Sequence, residues 1–104
     1  MVAQITPEPN RQPSSCALFG WTVAGLLDSL TDTFYAGEEP DIKDFGRVMN
    51  AVEDVEACGL DTHEVRQLLT DSGNETANGR PDEGKKFAAA ARSKMQAILE
   101  LGPP

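Results

Sequence analysis

The chain has few of the residue types from which catalytic and metal sites are built. Its 104 residues include one histidine, His63, and two cysteines, Cys16 and Cys58. A secreted domain held together by disulfides usually has more cysteines, and a zinc site usually combines several cysteines or histidines. Because both cysteines lie in apolar segments, we expect buried free thiols in a reducing cytoplasm. We expect no metal, no cofactor, no catalytic residue and no enzymatic activity.

Basic residues are also scarce, and this limits the partners that charge would attract. Nine lysines and arginines stand against seventeen aspartates and glutamates, so the formal net charge is −8. Phosphate backbones and anionic lipid surfaces are bound by clustered cations, so we expect no direct nucleic-acid or membrane binding. The charge is uneven, because residues 84–104 carry four bases and one acid. We therefore expect the last helix to lie against an acidic neighbour.

No apolar run is long enough to cross a bilayer, which takes about 20 consecutive apolar residues. The most hydrophobic stretch, residues 16–37, has the sequence CALFGWTVAGLLDSLTDTFYAG and is interrupted by Asp28 and Asp32. Three prolines and a single arginine precede this stretch. That composition is not typical of the basic start of a secretory signal. We expect neither a signal nor a membrane segment, and we place the protein in the cytoplasm.

Hydrophobic spacing predicts an all-α fold, a small bundle of about four helices in one domain over residues 15–102. Residues 1–14 are polar and rich in proline, and we expect them to form a flexible arm. No alternation of period two predicts a strand. The helices are predicted to begin at Ser14 or Ser15, at Pro40, after Asp61 and at Asp82, and to end near Gly37, at Cys58, near Gly73 and at Leu101.

The first two helices carry more apolar surface than one core contact would bury. One arc of the first helix is expected to face the core: Cys16, Phe19, Val23, Leu26, Leu27, Leu30 and Phe34. Leu18, Trp21 and Tyr35 lie outside that arc, and the apolar face of the second helix is unusually broad. A small monomer rarely exposes a large apolar patch without a use for it. We therefore predict a partner-binding surface composed of Leu18, Trp21, Tyr35, Phe45, Val48, Met49 and Val52, in which the acids Asp44, Glu53 and Glu56 help select the partner.

The third helix begins with the sequence LDTHEV, in which Asp61 and Glu64 have the spacing of a capping box. With the preceding helix it also resembles a helix-turn-helix unit over residues 51–70. In that alternative, a DNA-binding regulator would present four side chains to a groove: Thr62, His63, Arg66 and Gln67. Asp61 and Glu64 oppose this interpretation, because they would repel phosphates at the end that meets the bases.

Two segments, CALFGWTVAGLLDSL and DFGRVMNAVEDVEACG, together with the length and acidity of the chain, resemble the QslA-type quorum-sensing antiactivators of pseudomonads. This resemblance implies a helical protein that binds the LuxR-type transcription factor LasR and blocks its dimerization without contacting DNA. No binding residue is carried over, because no motif aligns position by position. The residues themselves predict the same class, a small acidic regulatory protein. We expect it to form a homodimer and to sequester a partner protein.

Overall fold

The computed structural model describes the backbone of residues 7–101 and the side chains of residues 18–100. Within these ranges the chain is all-α and contains no strand, so the predicted fold class is confirmed. Four helices follow one another: α1 (Pro7–Tyr35), α2 (Ile42–Cys58), α3 (His63–Ala77) and α4 (Pro81–Leu101).

The start of α1 differs from the prediction. The helix begins at Pro7 and not at Ser14 or Ser15. Proline is compatible with the first helical position, because the N–H that it lacks would have no partner inside the helix there. Residues 7–14 of the expected arm therefore have a helical backbone, and residues 1–6 lie outside the described residues. The end of α1 is close to the predicted one, since Gly37 follows two residues later with a φ of 84°.

The capping box lies at α2 and not at α3 as predicted. Asp41 Oδ1 accepts the Asp44 N–H at 3.0 Å, and Asp44 Oδ2 accepts the Asp41 N–H at 3.1 Å. At α3 the N-cap residue is Thr62, whose side chain makes no capping bond. Glu64 forms an ion pair with Lys94 of α4 at 3.1 Å, and this pair takes its carboxylate away from the helix end.

The third helix is longer than predicted, because Gly73 does not end it. Gly73 lies inside α3, where a Cβ atom would make an ordinary contact of 3.6 Å with the Phe45 ring. The helix continues to Ala77 and is followed by Gly79, which has a φ of 83°. This positive φ favours glycine and reverses the chain into α4.

The closest helix contact joins α3 to α4. Ser72 Oγ of α3 donates to the Gly84 carbonyl of α4 at 2.7 Å, and both residues are buried. A Cβ atom on Gly84 would lie 2.1 Å from Thr76 Oγ1, so only glycine allows this approach. The core beside this contact contains residues from all four helices, the largest fully buried ones being Leu27, Leu69, Met95, Val23, Val52, Val55 and Val65.

Two of the four basic residues of α4 pair with acids of the neighbouring helices. Arg92 Nε lies 3.9 Å from Asp28 Oδ1 of α1, and Lys94 Nζ lies 3.1 Å from Glu64 Oε1 of α3. The expectation that the last helix lies against acidic neighbours is confirmed. The charges of Arg92 and Lys94 are therefore paired within the protein.

Candidate protein-binding surfaces

Three large apolar side chains are exposed within one turn of α1. Leu18 and Trp21 share a face, about 60° apart around the helix, and Phe19 lies about 160° from Trp21. Leu18 is 69% exposed, Phe19 48% and Trp21 56%. We call these three residues the α1 patch. Phe19 was predicted to face the core, and that prediction is wrong. At this level the core side of α1 is occupied by Gly20, on which a Cβ atom would lie 2.5 Å from Leu99 Cδ2 of α4. One helical step of 100° then leaves Phe19 at the edge of the buried arc.

The exposed face of α1 remains uncharged beyond the patch. Thr22 and Gly25 are exposed there. Apart from the adjoining backbone of α1 itself, no atom lies within 4 Å of a Cβ built on Gly25. Residues 18–27 contain no charged side chain. A flat face of this kind can meet another molecule without removing the hydration shell of any charge.

Tyr35 is separate from the α1 patch, although it was predicted to belong to the same surface. It is exposed, but Lys85 Nζ of α4 lies 4.9 Å from the centre of its ring, a cation–π contact within the chain. Fourteen residues separate it from Trp21, which is about 21 Å of helix at 1.5 Å per residue. The predicted surface is therefore divided between the two ends of α1.

A second apolar surface is the groove between the first half of α2 and the second half of α3. It consists of two adjoining hollows of about 510 and 250 Å³. We call it the α2–α3 groove, and its shared or central lining residues are Ile42, Phe45, Met49, Leu69, Gly73 and Asn74. Ile42 is 86% exposed and was absent from the predicted surface. Ile42 is the first residue of α2, directly after the Asp41 cap. This position at the start of the helix was the signal from which its exposure could have been predicted.

Two predicted surface residues of α2 belong to the core. Val48 is 3% exposed and Val52 is 0% exposed, so neither can touch a partner of the folded protein. The apolar face of α2 is broad because this helix packs on both α1 and α3. Phe45 and Met49 lie between core and groove. The Phe45 ring meets Phe34 of α1 edge-on, with ring centres 6.3 Å apart.

The positions expected to read DNA in the helix-turn-helix alternative are mostly engaged within the protein. Thr62 is fully buried. Arg66 Nε lies 3.5 Å from Glu56 Oε1, and Gln67 donates to Asp71 Oδ1 at 3.2 Å. Only His63 of the four is exposed without such a contact among the described residues. The arrangement provides no group of unpaired cations for a phosphate backbone.

The turn between α3 and α4 holds the one ion pair that shifts pKa values clearly in the described part of the chain. Arg80 Nε donates to Glu75 Oε1. This hydrogen bond lowers the pKa of Glu75 below its ordinary value, and the carboxylate raises the pKa of Arg80 in return. Arg80 is exposed and Glu75 is half-buried, and the pair fixes the turn.

The prediction of a free thiol is wrong for Cys58, because this residue is disulfide-bonded. A disulfide is typical of oxidising compartments, so the cysteines no longer support a reducing cytoplasm. Cys58 also offers no thiolate to a metal. Within residues 18–100, no three potential metal ligands from cysteine, histidine, aspartate and glutamate lie close enough together to hold an ion.

None of the helices within the described ranges has the length and apolar character needed to span a membrane. Comparisons with protein-family models, with curated proteins and with solved structures give no match to this chain.

Proposed function

We propose that this chain is a small acidic regulatory protein that binds and sequesters a partner protein through exposed apolar surface. The observation that carries the proposal is the α1 patch, in which Leu18 and Trp21 are exposed on one face of the helix and Phe19 is exposed at the edge of the buried arc. Tryptophan is enriched at binding hot spots, where its truncation often weakens binding by about 2 kcal/mol or more. A regular helix also holds the three side chains ready, which lowers the entropy lost on binding.

Self-association is part of the proposal, with a homodimer formed through α1. The uncharged face around Thr22 and Gly25 supports it, because two copies with a net charge of −8 each repel one another wherever acids meet. Pairing of α1 with its copy would keep those acids apart. We expect sedimentation velocity to give a dimer that Trp21→Ala converts to monomer, and we expect His63→Ala to leave the dimer unchanged.

The partner we propose is a LuxR-type transcription factor whose dimerization is blocked, in a cytoplasmic setting. Only the resemblance of the first two helices to the QslA-type antiactivators supports this finer proposal. Co-expression with a LuxR-type activator tests it by size-exclusion chromatography. A mixed complex that replaces the activator dimer, and that Trp21→Ala weakens about 30-fold or more, is the expected result. An activator that stays dimeric in the presence of excess chain would refute it.

A further inference from the structure

The α2–α3 groove differs from the α1 patch in shape and in the charges around it. It is concave, with Phe45 and Met49 partly buried in its floor and Ile42 standing on its rim, 86% exposed. An apolar groove between two helices is the shape into which the apolar face of a third helix fits. A strand or a flat surface would leave the floor uncovered.

One carboxylate lines an end of this groove, and a second lies beyond the other end. Glu39 lines the end at the start of α2. Glu53, exposed, lies one helical turn beyond Met49 on the same face of α2. No lysine or arginine occurs among the described residues that line either hollow. From Ile42 to Glu53 the helix α2 rises about 17 Å, and Glu39 lies three residues before this helix.

The cation of α3 beyond the groove is already paired with an acid. Arg66 of α3 pairs with Glu56 of α2 at 3.5 Å, one turn beyond the groove. Farther along the chain, Arg80 pairs with Glu75. Glu39 and Glu53 have no such partner among the ion pairs of the described residues, so the groove ends keep a negative field that favours cations.

We infer that the α2–α3 groove binds an amphipathic helix of a partner protein, one with apolar residues on a single face and a basic residue at each end of that face. The inference rests on the proposed function and specifies the chemistry of the partner at a second surface. Burial of Ile42 against the incoming helix supplies affinity, and the two carboxylates select the charge of its ends.

A second copy of this chain does not supply such a helix. Its most basic helix is α4, whose apolar residues Ala88, Ala91 and Met95 are buried in its own core. Arg92 and Lys94 of that helix already face acids of α1 and α3. The groove therefore fits another protein better than it fits a copy of this chain.

Fluorescence anisotropy with a labelled synthetic peptide tests the inference on the full chain. The probe is a helical peptide of about 16 residues, four to five turns, with leucines on one face and lysines at both ends of that face. A second peptide has glutamates in place of the lysines, and a third has the lysine peptide's composition in scrambled order. We expect saturable binding of the lysine peptide alone.

Two variants locate the binding site. Ile42→Ser removes an exposed side chain outside the core and is expected to weaken binding about tenfold or more. His63→Ala removes an exposed side chain outside both apolar surfaces and serves as the control, with unchanged affinity expected. Glu53→Lys is expected to weaken binding of the lysine peptide and to strengthen that of the glutamate peptide. Equal affinities of wild type and Ile42→Ser would overturn the inference.

Trp21 separates failure of this inference from failure of the proposed function. It is the only tryptophan and lies in the α1 patch, so a peptide in the groove leaves its emission unchanged. A blue shift on peptide binding, abolished by Leu18→Ser, would overturn the groove inference and support the α1 patch as the binding surface. Failure of all three peptides to bind would overturn the groove inference. It would leave dimerization through α1 unaffected, which sedimentation velocity tests separately.

Discussion

Gly84 gives the sharpest test of how α3 and α4 pack. A Cβ atom at this position would lie 2.1 Å from Thr76 Oγ1, 3.0 Å from the Ser72 carbonyl oxygen and 3.4 Å from Phe34 Cζ. Thr76 can move only by breaking its 2.8 Å hydrogen bond to the Ser72 carbonyl, and the carbonyl itself is part of the helix backbone. The Gly84→Ala variant must therefore push the two helices apart.

The free energy of this change can be worked out from three contributions. Overpacking of a core contact costs about 1–3 kcal/mol. Loss of the buried hydrogen bond between Ser72 Oγ and the Gly84 carbonyl costs about 1 kcal/mol more. Alanine returns about 1 kcal/mol through its better helix propensity. We expect Gly84→Ala to lower the free energy of unfolding by about 2 kcal/mol net, which lowers the Tm by about 8 °C in a chain of this size.

Gly46→Ala is the matched control in the same assay of thermal and urea unfolding. Gly46 is exposed in the second turn of α2, and a Cβ atom there would meet nothing within 4 Å. Only the propensity term remains, so this variant is expected to raise stability by about 1 kcal/mol. If Gly84→Ala raised the Tm as Gly46→Ala is expected to do, the close contact between α3 and α4 would be refuted.

Three further predictions concern single groups. Thr62 Oγ1 is buried and has no hydrogen-bond partner among the described residues, so Thr62→Val is expected to raise the free energy of unfolding by about 1 kcal/mol; a loss of stability would show that the hydroxyl is used. The folded pKa of Glu75 is lowered, so its pairing with Arg80 stabilises the fold above the ordinary glutamate pKa of 4.5 and is lost as the pH falls through the lowered value. The Tm difference between wild type and Arg80→Ala is therefore expected to close in acid, and a difference that persists there would contradict the pair. Because Cys58 is disulfide-bonded, mass spectrometry of unreduced denatured protein is expected to find no N-ethylmaleimide on Cys58; labelling of Cys58 before reduction would contradict the bond.

The helices and much of the core could be predicted because hydrophobic periodicity and the residues that start and end helices are local properties of the sequence. Val23, Leu27 and Leu30 recur at helical spacing and are all buried. Local signals failed where a distant residue competed for a group. Glu64 had the spacing of a capping partner, but Lys94, thirty positions later, binds its carboxylate instead. Gly73 was interpreted as a helix stop, although it lies inside α3 beside the Phe45 ring.

The candidate surface was predicted in part. Leu18 and Trp21 lie outside the buried arc of α1, so a helical wheel was enough to find them. A wheel gives the direction of a side chain but not the number of helices around it. Val48 and Val52 were therefore assigned to a partner when they face the core of the same chain, and the exposure of Ile42 was missed. The disulfide of Cys58 also depends on folding, because only the tertiary structure brings a second thiol to it.

The central claim is that the α1 patch is a protein-binding surface, and the emission of Trp21 tests it most directly. The emission maximum is measured over a dilution series of wild type and of Leu18→Ser, with His63→Ala as the control. Burial of the half-exposed indole in a dimer predicts blue-shifted emission at high concentration, a red shift on dilution, and no concentration dependence in Leu18→Ser. Emission of the wild type that stays constant over the series, and remains so after a LuxR-type activator is added, would contradict the claim.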